Sequence, residues 1–322
     1  MDIELKPFRS KDAPGWESFV QNSNNGTLFH ERRFLGYHTK GRFKDHSLMA
    51  YKKGKLLAVF PAANVQRDEE SWLISHPGSS YGGFVYPEDI SIRDALDLGD
   101  ALVKHSAANG FGGIQITLPP AIYQHRVSNY LDFALLKHGF DYAKRDVSSL
   151  LNIEADPELN LARFKPTHRT AVRRAIKQNV TIKESDRYAE FYEILKENLK
   201  IRHGVQPTHT LDELMLLKKL YPARIKLFGA FHDNELIAGV VTFDTNRQVL
   251  LAFYISHRES HQHLRGVNLL FFEIIKWCHR QKYRYLDFGI FTVNMDPNFG
   301  LGRFKENFGA SGVFRDTFTR KL

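Results

Sequence analysis

The sequence predicts an α/β (α+β) fold made of two tandem copies of one domain, each a mixed, mostly antiparallel sheet flanked by helices. Three observations carry this expectation. Helix-period and strand-period segments alternate along the whole chain. The order helix, hairpin, strand, helix, strand occurs twice. The two hairpins also align without a gap, Ala50 with Ala230, Tyr51 with Phe231, Gly54 with Asn234, Leu56 with Leu236 and Ala58 with Ala238. Periods of about 20–50 residues would mean a solenoid, whereas one long repeat means two copies of a domain.

In the first copy, Phe8 to Ser23 reads as a helix with Trp16, Phe19 and Val20 on one side. Leu48 to Tyr51, the turn Lys52-Lys53-Gly54-Lys55 and Leu56 to Val65 form a hairpin signal. A strand from Trp72 to Ser75 enters the Gly/Ser-rich segment Pro77 to Gly83. Ile92 to Ala108 carries apolar residues at helical spacing, and Gly113 to Leu118 is a strand broken by Pro119-Pro120. A helix at Asn129 to His138 and a strand from Phe140 to Leu151 complete this copy.

The second copy repeats the order. Tyr188 to Leu199 is a helix, and Lys226 to Phe231 with Leu236 to Phe243 is a hairpin about His232-Asp233-Asn234-Glu235. Val249 to Ile255, Val267 to His279 and Tyr285 to Phe288 follow as strand, helix and strand, and Phe111 and Ile114 align with Tyr283 and Leu286. Domains over residues 1–151 and 152–322 are therefore expected, with the last strand, 313–320, crossing back to the first. Asn152 to Lys165 reads as a polar linker, and a basic helix over 167–178, N-capped by Thr167, marks the boundary. Arg169, Arg173 and Lys177 share one face of it. That stripe is either an ordinary solvated face or an anion-binding surface.

Composition bounds the function. A chain of 322 residues with 43% hydrophobic and 25% charged residues is ordinary for a globular protein with full cores. The net charge of +9 favours an anionic partner: nucleic acid, a nucleotide phosphate, a coenzyme or a membrane surface. One cysteine, Cys278, allows no internal disulfide and suits a reducing compartment. The charged first ten residues hold no apolar signal segment, and no run reaches the ~18 apolar residues of a membrane helix. A soluble cytoplasmic protein is expected.

The stretch most suggestive of a site is Tyr285 to Gly309. It opens with Asp287-Phe288-Gly289 at a strand end, crosses a polar loop with Asn294, Asp296 and Pro297, and closes on Gly300-Leu301-Gly302-Arg303-Phe304-Lys305-Glu306-Asn307-Phe308-Gly309. Glycine-bounded loops on a rigid scaffold concentrate function. A plain connection to a last strand is the alternative.

Further motifs are His168-Arg169-x-x-x-Arg173-Arg174-Ala175, Arg202-His203-Gly204-Val205-Gln206-Pro207, Ile237-Ala238-Gly239 and Asn268-Leu269-Leu270-Phe271. With the Phe-Lys-x-x-Phe-Gly ending, they resemble the FemAB-like aminoacyl and peptidyl transferases, which join two acetyltransferase-type (GNAT) domains. The resemblance is densest from Phe164 to Gly312, with a weaker echo at Tyr81-Gly82-Gly83. It implies transfer of an acyl or aminoacyl group from a carrier, acyl-CoA or aminoacyl-tRNA, to a small-molecule or peptide amine, cell-wall precursors included. It implies no tightly bound cofactor and brings in tRNA as a partner. One departure bears on the donor. Acyl-CoA enzymes of this fold carry Gln/Arg-x-x-Gly-x-Gly/Ala at a helix start, and this chain has His263-Leu264-Arg265-Gly266-Val267-Asn268. Weak binding of free coenzyme A is expected, with Arg265 still placed to meet a phosphate.

The resemblance implies catalytic roles for Lys305, Phe304 and His203. Lys305 would stabilise the oxyanion, so that Lys305→Met spares folding while lowering transfer; His203 would be a base for the amine. Substrate-binding candidates are Arg202, Tyr254, Asn268, Arg265, Arg169, Arg173 and Asp287. Each has a plain reading beside it: a surface lysine, a structural histidine, a tyrosine in the sheet core, an aspartate bonding its own loop. Gly78-Ser79-Ser80-Tyr81-Gly82 matches a nucleophile elbow, but Gly83-Phe84-Val85-Tyr86-Pro87 cannot be the helix that motif needs. His261-x-His263 lacks partner ligands, so no metal site is expected. A basic binding module for RNA or a nucleotide-sugar ligand is the alternative to an enzyme.

Overall fold

The computed structural model describes residues 3–203 and 206–322, with side chains for all of these except 201–203. Contacts divide the chain into two units, Met1–Asp146 with Phe314–Leu322, and Val147–Val313. The division falls inside one strand rather than at residue 151.

The first unit contains β1 (Ile3–Pro7), α1 (Ala13–Gln21), α2 (Arg32–Leu35), β2 (Lys44–Asp45), β3 (Leu48–Lys52), β4 (Lys55–Phe60), β5 (Ala63–Arg67) and β6 (Glu70–Ser75). It continues through α3 (Ile92–Ala108), β7 (Gly113–Thr117), α4 (Tyr130–Lys137) and the start of β8 (Asp141–Asn152). Strands β1, β3 and β4 form one antiparallel sheet. A second sheet runs β2–β5–β6–β7, with β6 and β7 parallel. The core is apolar, Leu48, Phe60, Leu98, Leu102, Ile114 and Phe318 being fully buried.

The second unit takes the end of β8, then α5 (Pro157–Arg163), α6 (Pro166–Lys177), β9 (Thr181–Ser185), α7 (Tyr188–His203), α8 (Leu211–Leu220), β10 (Ile225–His232), β11 (Glu235–Asn246) and β12 (Val249–His257). After these come α9 (Gly266–Arg280), β13 (Tyr285–Ile290), the small hairpin β14 (Thr292–Val293) and β15 (Asp296–Pro297), and α10 (Phe299–Glu306). Strands β9, β10, β11 and β12 are antiparallel in that order, β12 and β13 are parallel, and Leu286 of β13 faces Leu151 of β8. The last strand, β16 (Ser311–Lys321), begins in this unit; its residues 317–321 pair antiparallel with β7.

The repeat extends to backbone detail. In the first unit Ala50 pairs Ala58 and a bulge shifts Tyr51 onto Leu56; in the second Ala230 pairs Ala238 and the same bulge shifts Phe231 onto Leu236. Both turns have two positive-φ central residues, Lys53 and Gly54 (50° and 76°) and Asp233 and Asn234 (47° and 66°). Such turns match the twist of a tight hairpin. Each unit also has one parallel pair after its hairpin, β6–β7 and β12–β13.

Several expectations are corrected. The first helix starts at Ala13, with proline in its first turn, so Phe8 lies outside it. The strand expected over Leu56 to Val65 is two, β4 and β5, interrupted at Pro61, which has no N–H to give a ladder. The supposed linker holds α5. Helix α6 starts at Pro166 with Lys165 as N-cap and no side-chain cap, so Thr167 is not the cap. The glycine-bounded ending is a helix, α10. Asn298 caps it by accepting from Leu301 N–H at 2.9 Å, and a β-carbon on Gly302 would stand 3.1 Å from the Phe291 ring.

Candidate active site

Strand β12 ends at His257, and a 3-10 segment, Glu259–Leu264, leads to the start of α9. Arg265 is the N-cap in a left-handed conformation, φ 60° and ψ 30°. Gly266 follows because there is little room for a side chain: a β-carbon would stand 3.1 Å from Ile237 Cδ1 and 3.2 Å from Ala230 Cβ. The first N–H groups of any helix lack intrahelical acceptors and carry its positive dipole end.

This helix start opens on a cavity of about 750 Å³ within the second unit. Helix α6 contributes Thr167, His168, Thr170, Ala171 and Arg174; α7 gives Leu195, Asn198 and Leu199. Ile237, Ala238, Ile255 and His257 come from β11 and β12. His261, Gln262, Arg265, Gly266, Val267 and Asn268 form the helix-start wall, and Asn298, Gly300, Leu301 and Phe304 the side of α10. Among these described lining residues there is no carboxylate, serine or cysteine.

Three expected residues meet here: Arg265, Asn268 and Phe304. Asn268 does not lie free across the helix start; its Nδ2 is 2.8 Å from His168 Nδ1. The His168 ring packs edge-on against Phe308, 5.1 Å between centroids at 88°. Burial, then the charge of Arg265, holds His168 below the ordinary imidazole range.

Other expected residues sit elsewhere. Lys305 is 2% exposed and does not line the cavity. Its Nζ donates to the carbonyls of Gly289 at 2.6 Å and Ile290 at 2.8 Å. Burial lowers its pKa to about 8, although Asp287 opposes the shift. Asp287 is fully buried and accepts from Ser148 Oγ at 2.6 Å and Gly289 N–H at 2.7 Å. Tyr254 points away: Ile255 and His257 line the cavity, while the Tyr254 hydroxyl accepts from His209 N–H at 3.0 Å and pairs with His209 Nδ1 at 2.8 Å. Successive strand residues face opposite sides, so the neighbours of Tyr254 hold the site. Burial pushes its phenol up to about 12.

The basic stripe divides as well. Arg169 Nη1 donates to the carbonyls of Ala162 at 3.0 Å and Phe164 at 2.7 Å, which satisfies the end of α5. Arg173 and Lys177 are exposed and do not line the cavity, whereas Arg174 does. The side chains of Arg202 and His203 lie outside the described residues. Sequence reasoning quoted His168 and Arg174 only within a motif and passed over Asn198 and His257. The i, i+3, i+4, i+7 spacing of Thr167, Thr170, Ala171 and Arg174 could have identified that face.

Residues 162–306 match the acetyltransferase (GNAT) domain family. None of the curated proteins matches in sequence. Among solved structures the chain is similar to FemX, at 14% identity over 99% of this chain and 97% of that one, TM-score 0.77. It is also similar to L-PGS from Bacillus licheniformis, at 12% identity over 98% and 92%, TM-score 0.60. A third is a tandem GNAT protein from the clavulanic acid biosynthesis pathway, at 11% over 99% and 98%, TM-score 0.55. Residues 162–306 thus form an acetyltransferase-type (GNAT) domain, and the chain as a whole shares the fold of FemX and of the tandem GNAT protein.

Proposed function

We propose that the cavity at the start of α9 holds the reactive end of a carrier-bound acyl or aminoacyl group and transfers it to an amine. The acceptor class the family resemblance implies is a peptide amine, cell-wall precursors included, and the preferred donor is aminoacyl-tRNA. The observation that carries the reading is the lining itself. Arg174, Arg265 and a helix N-terminus face a cavity whose described walls hold no carboxylate, a setting that favours a phosphate-bearing ligand. Direct attack by the amine is the simplest route, and proximity supplies much of the acceleration. Phe304 gives an apolar wall beside the helix start. Lys305 contributes by fixing the Gly289–Ile290 turn behind α10.

The test is transfer from alanyl-tRNA, seryl-tRNA and acetyl-CoA, each supplied with a lysine-containing pentapeptide and its nucleotide-linked precursor. Transfer from a charged tRNA, weakened by Arg265→Gln, is the expected result. Binding of these ligands with no transfer from any donor would favour a non-catalytic binding module. Efficient transfer from acetyl-CoA alone would reverse the donor preference.

A further inference from the structure

We propose that His168 is a catalytic hydrogen-bond donor, its Nε2–H directed at the carbonyl oxygen of the transferred group, and that Asn268 is the positioning residue that fixes this tautomer. The inference rests on the transferase reading above. An amide nitrogen can only donate, so the 2.8 Å contact from Asn268 Nδ2 makes His168 Nδ1 the acceptor. A neutral imidazole carries one proton, which is then on Nε2. The ring lines the cavity, and the aromatic edge contact with the fully buried Phe308 restricts its orientation. Among the described residues Nε2 has no hydrogen-bond partner, nor is it one of the buried unsatisfied atoms. It therefore faces the open space that the ring borders. Burial of the ring, then the charge of Arg265, disfavours protonation of the imidazole.

The chemistry balances on this assignment. The amine lone pair attacks the carbonyl carbon, and the C=O π pair moves onto oxygen, where Nε2–H donates to the developing charge. The pair then returns to re-form C=O as the bond to the carrier's oxygen, or sulfur for a thioester, breaks. The proton lost by the attacking nitrogen goes to that leaving atom. Nothing is oxidised or reduced, and His168 ends in its starting tautomer. Lys305, already committed to two backbone carbonyls, is not needed at the oxyanion.

The experiment combines a tautomer measurement with transfer kinetics. Long-range proton–nitrogen spectra of ¹⁵N-histidine-labelled protein, with the signal assigned by its loss in His168→Gln, should show Nε2 protonated and Nδ1 bare. Asn268→Asp should move the proton to Nδ1, because a carboxylate only accepts. With alanyl-tRNA and the lysine-containing pentapeptide, His168→Ala should lose ~10²–10³ in turnover, the usual effect of removing one oxyanion donor. Donor affinity should change less than about threefold, and Gln at 168, whose amide can donate, should recover part of the loss. Asn268→Asp should lose turnover with the ring intact. An Nδ1–H tautomer in the wild type, or undiminished turnover in folded His168→Ala, would overturn the assignment while leaving the transferase reading standing. A wild-type protein that transfers from no donor would instead remove the reading and this inference with it.

Discussion

The Nζ of Lys305 reaches back along the chain to the carbonyl of Gly289, 2.6 Å away, and to that of Ile290, 2.8 Å away. A neutral lysine amine has two N–H groups, and here there are two carbonyls. The contact ties α10 to the end of β13, where Gly289 takes a φ of 73° and turns the chain toward the β14–β15 hairpin.

Replacing this lysine should therefore damage the fold. Lys305→Met fills similar volume but leaves two buried carbonyls short of a donor, and each unsatisfied group costs about 1–3 kcal/mol. A loss of about 2–4 kcal/mol in urea unfolding is expected, before any effect on catalysis is considered. Stability equal to wild type would mean that the two carbonyls find other donors and that Lys305 is free to act at the cavity.

The same contact predicts a pH dependence. Lys305 titrates at about 8 in the native state, against an ordinary value of 10.5. Between those values the unfolded chain holds a proton that the native state lacks, so unfolding free energy rises with pH through that window. The contribution is complete above about 10.5 and is lost as pH falls through about 8. The ceiling is about 3 kcal/mol. Other groups titrate there too, so the measured quantity is the difference between wild type and Lys305→Met across pH 7–10.5. A difference that does not change with pH would mean the amine stays charged when buried.

The strand and helix pattern was legible because each segment keeps its period, and the equivalence of the two hairpins was legible residue by residue. The site was legible only in part. Arg265 and Asn268 stand at the start of α9 and Phe304 lies within α10, places that the motifs identify. Tyr254 is one residue out of phase with Ile255 and His257, a difference of strand face that no motif records. Lys305 looked like a loop lysine because Gly300 and Gly302 weaken the helical signal of α10. The structure accommodates Gly302 for its packing on Phe291. Helix α8 was missed although Thr210 and Glu213 form a capping box.

Two of the three arginines in the His168–Ala175 motif should separate in experiment. Arg174→Gln removes a cation from the cavity wall and should weaken binding of charged tRNA most at low salt. Each phosphate contact to a single strand accounts for roughly 0.7 in the slope of log affinity against log salt. Arg169→Gln removes the donor that satisfies the Ala162 and Phe164 carbonyls. It should lower thermal stability while leaving the salt slope alone. Filter binding at three salt concentrations beside a melting curve distinguishes them, and equal slopes for Arg174→Gln and wild type would take Arg174 out of the carrier site.

Arg265 shows how the site is set against the fold. It holds φ at 60° as N-cap of α9, a region where residues with a β-carbon are strained by roughly 1–2 kcal/mol. Glycine adopts that conformation freely, though its looser unfolded chain takes back about 0.4–1 kcal/mol. Arg265→Gly should thus leave stability unchanged or raise it by up to about 1 kcal/mol, because the side chain is exposed. It should at the same time weaken the carrier, since the cation beside the helix N-terminus is gone. Arg265→Gln keeps the strain and loses the charge, so it should weaken binding equally without the gain in stability. The comparison needs only thermal melts and charged-tRNA binding on three proteins. If Arg265→Gly melts well below both others, the arginine side chain is holding the helix start in place, and its unusual conformation belongs to the fold rather than to the ligand.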